Sequence, residues 1–218
     1  MPSAIPVKLP NPITYLITSG ETATAPATED FASLLNLLSA AVAAGVSLIQ
    51  LREKNLSARQ LYELTLLAVA ITRGSSTRLL VNERADIARA AGADGVHLPA
   101  RSLDAATVRA TFGADFLIGV STHSVAEVRA ARTAEADFVV FGPVFQSPSK
   151  TIYGAPLGLG KLQAAAAECA PFPVIALGGI DQSGAADCLR AGASGIAAIR
   201  LFSESGKLEQ VVEALRQN

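Results

Sequence analysis

The chain has 218 residues, of which 50% are hydrophobic and 17% charged, with a mean hydropathy of +0.36. Its 18 basic and 19 acidic side chains leave a formal net charge of −1 and form no basic run, so nothing in the sequence suggests binding to nucleic acid or to an anionic membrane. No apolar stretch approaches the ~18 residues that span a bilayer. Prolines near the start replace the apolar core of an export signal, and Cys169 and Cys188 match no disulfide framework or zinc spacing. We therefore expect a cytoplasmic protein with buried structural cysteines.

Eight short β-rich runs alternate with Ala- and Leu-rich segments along the chain. The predicted strands are Thr14–Thr18, Ser47–Arg52, Arg78–Asn82, Gly95–Pro99, Leu117–Ser121, Asp137–Gly142, Pro173–Gly179 and Gly195–Arg200. Several are continuously apolar, as expected for parallel strands that are covered on both faces. The intervening segments are amphipathic, with Ser57 as a predicted helix N-cap.

This alternation predicts an α/β fold, a single (β/α)8 TIM barrel over residues 13–218 with residues 1–12 as an N-terminal arm. The alternative is a doubly wound open sheet. That fold would need fewer strands or a G-x-G-x-x-G fingerprint, and "LITSGETATA" after the first strand does not supply one. A weak internal repeat supports the barrel. "AAGVSLIQL", "AAGADGVHL", "EADFVVFG" and "AGASGIAAI" each place an acidic or small residue between a helix end and a strand.

Polar side chains follow the predicted strands at the end where barrels carry their functional groups. They are Gln50, Arg52 and Lys54 after strand two, Asn82 and Glu83 after strand three, Ser121 and His123 after strand five, Ser147, Ser149 and Lys150 after strand six, Gly178 and Gly179 after strand seven, and Ile199 and Arg200 around the end of strand eight. Together they predict the rim of a polar pocket.

The strongest prediction is a phosphate site after strands seven and eight. Gly178 and Gly179 have bare amides that can approach an anion closely, and Ile199 and Arg200 follow the neighbouring strand. The alternative is that the glycine pair only forms a tight turn before a helix that begins near Asp181.

Two further clusters are candidates for binding anions. Gln50, Arg52 and Lys54 alternate, so they share one strand face if the strand persists that far; the alternative is a solvated strand end with Glu53. Lys150 with two nearby serines forms the other cluster. Several candidate anion-binding clusters predict small phosphorylated substrates.

The motifs "QLREK", "VNERAD", "GADGVHL", "GVSTHS", "ADFVVFGPVF" followed by "SPSK", and "PVIALGGI" resemble, in order and spacing, the thiamine phosphate synthase/TenI superfamily. The resemblance covers Thr14 to Phe202. It implies a (β/α)8 barrel that serves thiamine biosynthesis. The synthase of this superfamily is a transferase that joins hydroxymethylpyrimidine diphosphate to thiazole phosphate and releases diphosphate, with Mg²⁺.

The resemblance also implies roles for single residues. Arg52, Lys54, Ser121 and Lys150 would be the catalytic residues. Among these, Arg52, Lys54 and Lys150 would hold the diphosphate together with Gln50 and Asn82, while Ser121 would lie near the pyrimidine. The thiazole phosphate would be bound by Ser147 and Ser149, where the family usually has threonines, and by the amide of Gly179.

Three positions depart from the synthase pattern. Glu83 stands where the family has an aspartate, and Ser102 replaces a second aspartate. These two aspartates carry Mg²⁺ in the family, so the resemblance leaves Glu83 as the metal ligand and weakens the expected metal site. Arg200 replaces a serine.

Two alternatives remain open. A TenI-like thiazole tautomerase works without metal, but its histidine should follow Gly142, where this chain has Pro143. His123 is the candidate substitute, although we expect structural hydrogen bonding from it and from His97. The other alternative is a non-catalytic barrel that binds thiazole or thiamine phosphate. The sequence also leaves open whether the protein is a homo-oligomer.

Overall fold

Eight parallel strands form a closed barrel in which each strand pairs with its neighbours in chain order, and β8 pairs with β1. The computed structural model describes residues 9–21, 29–146 and 155–217. The strands are β1 (Ile13–Ile17), β2 (Leu48–Leu51), β3 (Arg78–Asn82), β4 (Gly95–Leu98), β5 (Leu117–Thr122), β6 (Phe138–Phe141), β7 (Val174–Leu177) and β8 (Gly195–Ala198). The helices are α1 (Glu29–Ala43), α2 (Ala58–Thr72), α3 (Ala85–Ala91), α4 (Ala105–Phe112), α5 (Val125–Thr133), α6 (Gly158–Cys169), α7 (Gln182–Arg190) and α8 (Leu208–Arg216). The predicted TIM barrel is confirmed.

All eight predicted strands are present, but six of them, β1, β2, β4, β6, β7 and β8, end one or two residues earlier than predicted. β2 ends at Leu51, and Lys54 lies in a turn instead of extending the strand. β8 ends at Ala198, and a short 3-10 helix, Arg200–Phe202, follows directly. A second short 3-10 helix, Ser205–Lys207, precedes α8. The prediction that Arg52 and Arg200 belong to strands was therefore wrong. The Arg52 N–H bonds to the Thr18 hydroxyl at 2.8 Å instead of continuing the ladder, and Arg200 begins the 3-10 helix, where its carbonyl accepts from the Ser203 N–H at 3.2 Å.

The apolar residues divide into a barrel interior and a layer between the barrel and its helices. The interior cluster includes Tyr15, Leu80, Phe138 and Ile175, and Leu9 of the predicted arm packs against it. The outer layer is larger and contains the strand residues that alternate with these. Two covered faces explain why the strands read as almost continuous apolar runs.

The internal repeat has a structural cause at the N-terminal end of the barrel. A residue just before each even-numbered strand accepts a hydrogen bond from a backbone N–H near the start of the preceding odd-numbered strand. The bonds are Thr14 N to Ser47 Oγ at 3.1 Å, Leu79 N to Asp94 Oδ2 at 2.8 Å, Ile118 N to Asp137 Oδ2 at 2.6 Å, and Val174 N to Ser194 Oγ at 3.3 Å. The repeated acidic or small residue thus satisfies a backbone donor that the ladder leaves over.

The predicted helix N-cap Ser57 is confirmed. Ser57 caps α2 in a capping box with Gln60. Cys169 and Cys188 are free and buried, and burial raises the pKa of the Cys188 thiol to about 12. None of the helices in the described part of the chain is long and apolar enough to cross a membrane.

Candidate active site

A chain of buried hydrogen bonds joins three of the predicted site residues inside the barrel. Gln50 Nε2 donates to Asn82 Oδ1 at 2.8 Å, and the Tyr15 hydroxyl donates to Gln50 Oε1 at 3.1 Å. The same hydroxyl lies 3.2 Å from His97 Nδ1, and His97 Nε2 lies 2.8 Å from Ser121 Oγ. The structure therefore brings Gln50, Asn82 and Ser121 together, as strand-end residues of one barrel should be.

Tyr15 and His97 connect these residues, and the sequence analysis did not identify either as a site residue. Both are almost fully buried, at 0% and 3% exposure. Burial raises the pKa of Tyr15 well above its ordinary value and lowers the pKa of His97 to about 3, so both side chains are neutral. Gly119 leaves the space for this packing, since a Cβ there would lie 2.3 Å from Cζ of Phe138. The available signal was a polar residue at an inward-facing position of an otherwise apolar strand.

Arg52 is held at the barrel rim by the end of β1. Its backbone N–H donates to the Thr18 hydroxyl at 2.8 Å, and that hydroxyl donates to the carboxylate of Glu53 at 2.5 Å. The Arg52 guanidinium donates to the Ser19 carbonyl at 3.3 Å. Thr18 and Glu53 are buried, so they fix the backbone from which the half-buried Arg52 side chain extends.

Lys54 does not share a strand face with Gln50 and Arg52. The strand has ended, and Lys54 is exposed in the turn before α2. The expectation of three alternating residues on one face was therefore wrong for Lys54. Its ammonium group remains on the same loop as Arg52, where a flexible side chain can still reach an anion.

Gly178 and Gly179 need their lack of a side chain for two reasons. Both have positive φ angles, 104° and 65°. The loop after β6 also lies against them: a Cβ on Gly178 would lie 2.6 Å from Cα of Pro143, and one on Gly179 would lie 2.4 Å from the carbonyl oxygen of Gln146. The pair is therefore a tight turn, and it leads into α7, whose N-cap is Asp181.

The ends of β7 and β8 lie side by side, because these strands pair in register from Ile175 to Leu177. Gly179 is exposed at this edge. Ile199 is the N-cap of the 3-10 helix that begins at the exposed Arg200. The four residues predicted to bind a phosphate thus lie on two adjacent strand ends, the place where barrels commonly bind one.

The candidate metal ligand, Glu83, is an exposed carboxylate at the end of β3. It has a positive φ of 64°, and its backbone N–H donates to the His97 carbonyl at 2.8 Å. Ser102 lies on the loop after β4, where it lines a cleft of about 370 Å³ together with Ser121. Among the residues that the structure describes, no group of three or more His, Cys, Asp or Glu side chains could hold a metal ion. In the described part of the chain, Glu83 is therefore a single candidate ligand and not part of a cluster that could hold a metal ion.

His123 links the ends of β5 and β6. Its Nδ1 donates to the Gly142 carbonyl at 2.5 Å, and its backbone N–H donates to Glu127 Oε2 at 2.6 Å. These contacts are the structural hydrogen bonding expected of this residue. Ser147, Ser149 and Lys150 lie outside the described residues.

A closed (β/α)8 barrel with cationic, amide and glycine groups on its C-terminal rim defines the class: a TIM-barrel enzyme of small phosphorylated substrates. The profile of the thiamine monophosphate synthase family, TMP-TENI, matches residues 15–202, and the chain belongs to this family.

Individual relatives agree with the family match. A relative from Geobacter sulfurreducens is 47% identical over 166 residues, which are 76% of this chain and 78% of that protein. A protein of Chlorobium phaeobacteroides named thiamine-phosphate synthase is 37% identical over 189 residues, covering 87% of this chain and 91% of its own. Among solved structures, thiamine phosphate pyrophosphorylase from Pyrococcus furiosus has a TM-score of 0.77 at 27% identity and covers 94% of this chain and 96% of its own. The predicted superfamily and the assignment to a transferase of thiamine biosynthesis are confirmed.

Proposed function

We propose that this barrel condenses hydroxymethylpyrimidine diphosphate with thiazole phosphate to give thiamine phosphate and diphosphate. The observation that carries the proposal is that two separate clusters of residue types suited to anions lie on one rim. Arg52 and Asn82 follow β2 and β3, whereas Gly179 and Arg200 follow β7 and β8. Strand β1 separates the two groups on one side, and β4 to β6 separate them on the other. Two phosphorylated substrates need two such groups.

The chemistry places most of the catalytic demand on the leaving diphosphate. The bond between the pyrimidine methylene carbon and the diphosphate oxygen breaks, and its electron pair stays on the diphosphate. The thiazole nitrogen then donates an electron pair to the same carbon. Arg52, Lys54 and the Asn82 amide are the residue types that stabilise the departing charge. On the family pattern, Lys150 adds a further cation, and Ser147 and Ser149 bind the thiazole phosphate.

The residues present fit Mg²⁺ only in combination with the substrate. Mg²⁺ in phosphate chemistry is usually held by one or two carboxylates, waters and substrate phosphate oxygens. Glu83 supplies one carboxylate at the end of β3, and Ser102 supplies no charge. When bound there, the metal would neutralise charge on the diphosphate. We therefore propose Glu83 and the diphosphate oxygens as the metal's ligands.

We also infer a cytoplasmic location. The free and buried thiols of Cys169 and Cys188 suit a reducing compartment. Small phosphorylated molecules are the partners that the rim fits.

The experiment that tests the proposed function is a direct assay of thiamine phosphate from the two substrates, with and without Mg²⁺. We expect product only with Mg²⁺, and we expect Glu83→Gln to require a higher Mg²⁺ concentration for the same rate. Arg84→Gln, next to Glu83 but ion-paired with Asp86, is the matched control and should keep the wild-type Mg²⁺ dependence.

The opposite outcome is also informative. Protein that binds thiazole phosphate but forms no product under either condition would overturn the synthase proposal. Metal-free tautomerisation of a thiazole carboxylate phosphate would then become the leading activity, with His123 as its acid–base residue. Binding without any turnover would indicate the non-catalytic barrel.

A further inference from the structure

The hydrogen-bond chain inside the barrel runs through five strands. It passes from Asn82 on β3 to Gln50 on β2 and Tyr15 on β1, then crosses the barrel to His97 on β4 and reaches Ser121 on β5. Every buried side-chain nitrogen and oxygen in the described residues has a hydrogen-bond partner. Each hydrogen bond in this chain therefore has a defined donor and acceptor, and their direction determines which groups the two ends offer to a ligand.

The direction of the chain follows from which atoms can donate. The hydroxyl of Tyr15 has a single proton, and the carbonyl oxygen Oε1 of Gln50 can only accept it. The contact between Tyr15 and His97 therefore requires a proton on Nδ1 of the imidazole. The described contacts of the buried His97 ring are with hydroxyl groups and aromatic rings, none of them a carboxylate, so the ring is neutral. Its Nε2 then has no proton and accepts one from the hydroxyl of Ser121.

The two ends of the chain consequently differ in what they offer a ligand. Asn82 uses its carbonyl oxygen on Gln50, so its remaining groups are amide N–H donors. Ser121 gives its proton to His97, so its oxygen offers lone pairs. Reversing every bond would turn the carbonyl oxygen of Asn82 outward on the same rim as Arg52, where it would repel an anion. An anion bound at Asn82 therefore favours the direction described here.

We propose that Tyr15 and His97 are positioning residues that fix this direction, so that the site presents a donor to an anionic group at Asn82 and an acceptor to an amino group at Ser121. The chemical class selected is a pyrimidine that carries an amino group in place of a ring carbonyl. Naming the anion as the diphosphate and the ring as the pyrimidine rests on the proposed function. The direction of the hydrogen bonds in the chain does not depend on the proposed function.

The direction is measurable without turnover. Nitrogen-15 NMR of the histidine side chains is tractable because the chain has two histidines, His97 and His123. In protein saturated with inorganic diphosphate we expect His97 to carry its proton on Nδ1. Tyr15→Phe removes the acceptor for that proton, so the tautomer should shift toward Nε2–H. A proton on Nε2 in the unsubstituted protein with diphosphate bound would overturn the proposal.

The specificity is tested with the amino-pyrimidine diphosphate and its oxo analogue. We expect the unsubstituted enzyme to prefer the amino compound in kcat/KM by about 100-fold, and Tyr15→Phe and His97→Asn to reduce that preference by about 10-fold or more. Phe138→Leu is the matched control, because Phe138 packs edge-on against Tyr15 at 5.7 Å without any hydrogen bond to it. It should keep the preference even if it lowers the rate.

The two proposals fail differently. An unchanged preference in folded Tyr15→Phe, with thermal unfolding close to that of the unsubstituted protein, would sink the positioning role while leaving synthase activity in place. Absence of product from every variant would overturn the proposed function, and the NMR result would still report the direction of the chain.

Discussion

The two ends of the barrel use similar residues for opposite purposes. At the N-terminal end, Asp94 and Asp137 accept hydrogen bonds from strand amides and pair with Arg78 and Arg109. At the C-terminal end, Arg52, Glu83 and Arg200 are exposed or half-buried around the mouth. Charged side chains at one end close the fold, and at the other end they lie on the rim that we propose binds the substrates. Residue type alone therefore does not distinguish a structural charge from a functional one.

Two arginines make the contrast concrete. Arg109 is 11% exposed in its side chain and donates to the carbonyls of Gly113, Phe116 and Glu135 as well as to Asp137. The described side-chain hydrogen bond of Arg52 goes to one carbonyl, that of Ser19, at the long distance of 3.3 Å. The fold supplies Arg109 with four acceptors, whereas the described contacts of the Arg52 guanidinium include one, as we expect of an arginine that binds an anion.

The largest expected effect is on turnover at the C-terminal end. Arg52→Ala should lower kcat by about 100-fold, because it removes a preorganised donor for the leaving diphosphate. Thermal unfolding should change little, since the backbone at Arg52 is held by Thr18. Arg52→Lys, which keeps the charge and loses the planar fork, should recover part of the rate. A full rate in folded Arg52→Ala would show that the mouth does not bind the diphosphate at β2.

The next effect is on stability at the N-terminal end. Asp137→Ala should lower the free energy of unfolding by about 2 to 3 kcal/mol, because it leaves the Ile118 N–H without its acceptor and the Arg109 guanidinium without its carboxylate partner. Turnover per folded molecule should not change. The measurement is denaturant unfolding beside a steady-state assay.

The matched control for Asp137→Ala is Glu63→Ala, which breaks an ion pair with Arg59 on exposed side chains of α2. That change should cost far less, because ion pairs between exposed side chains contribute little to stability. Equal costs for the two substitutions would contradict the distinction between structural and surface charges.

A further effect lies between the two ends, at His97, and it depends on pH. Its pKa is lowered from 6.5 to about 3 by burial, so the unfolded chain binds more protons than the folded protein within that window. The free energy of unfolding should therefore fall as the pH drops from 6.5 toward 3, with His97 contributing about 1 kcal/mol per pH unit. Denaturant unfolding at a series of pH values measures this slope.

His97→Asn separates this contribution from others of the same sign. Hydrogen bonds from Arg84 and from the Gly184 amide lower the pKa values of Asp86 and Asp181, so both carboxylates also lose stabilising contacts in acid. The variant keeps those and should show a shallower slope. Identical slopes would mean that His97 is not held neutral by burial.

The sequence predicted the barrel well because its signals are local. Apolar runs of strand length, helix caps such as Ser57 and the repeated residue before each even strand are all readable within a few positions. The end of β2 was not, because the Arg52 N–H bonds to the Thr18 hydroxyl, which is 34 positions away in the chain. The same limit explains why Lys54 was placed on a strand face that ends before it.

By itself the sequence determined the eight β-α units, the polar strand ends and the family to which they belong, since these depend on periodicity and on ordered motifs. Only the tertiary structure decided that Tyr15 joins Gln50 to His97 and that Glu53 fixes the end of β1. It also decided that the loop after β6 packs directly against Gly178. These contacts cross the barrel or join adjacent strand ends, so they arise only when the sheet closes. The alternation of residues along each strand specifies which side chains point into the barrel. Which of these side chains contact one another is specified only when the barrel closes.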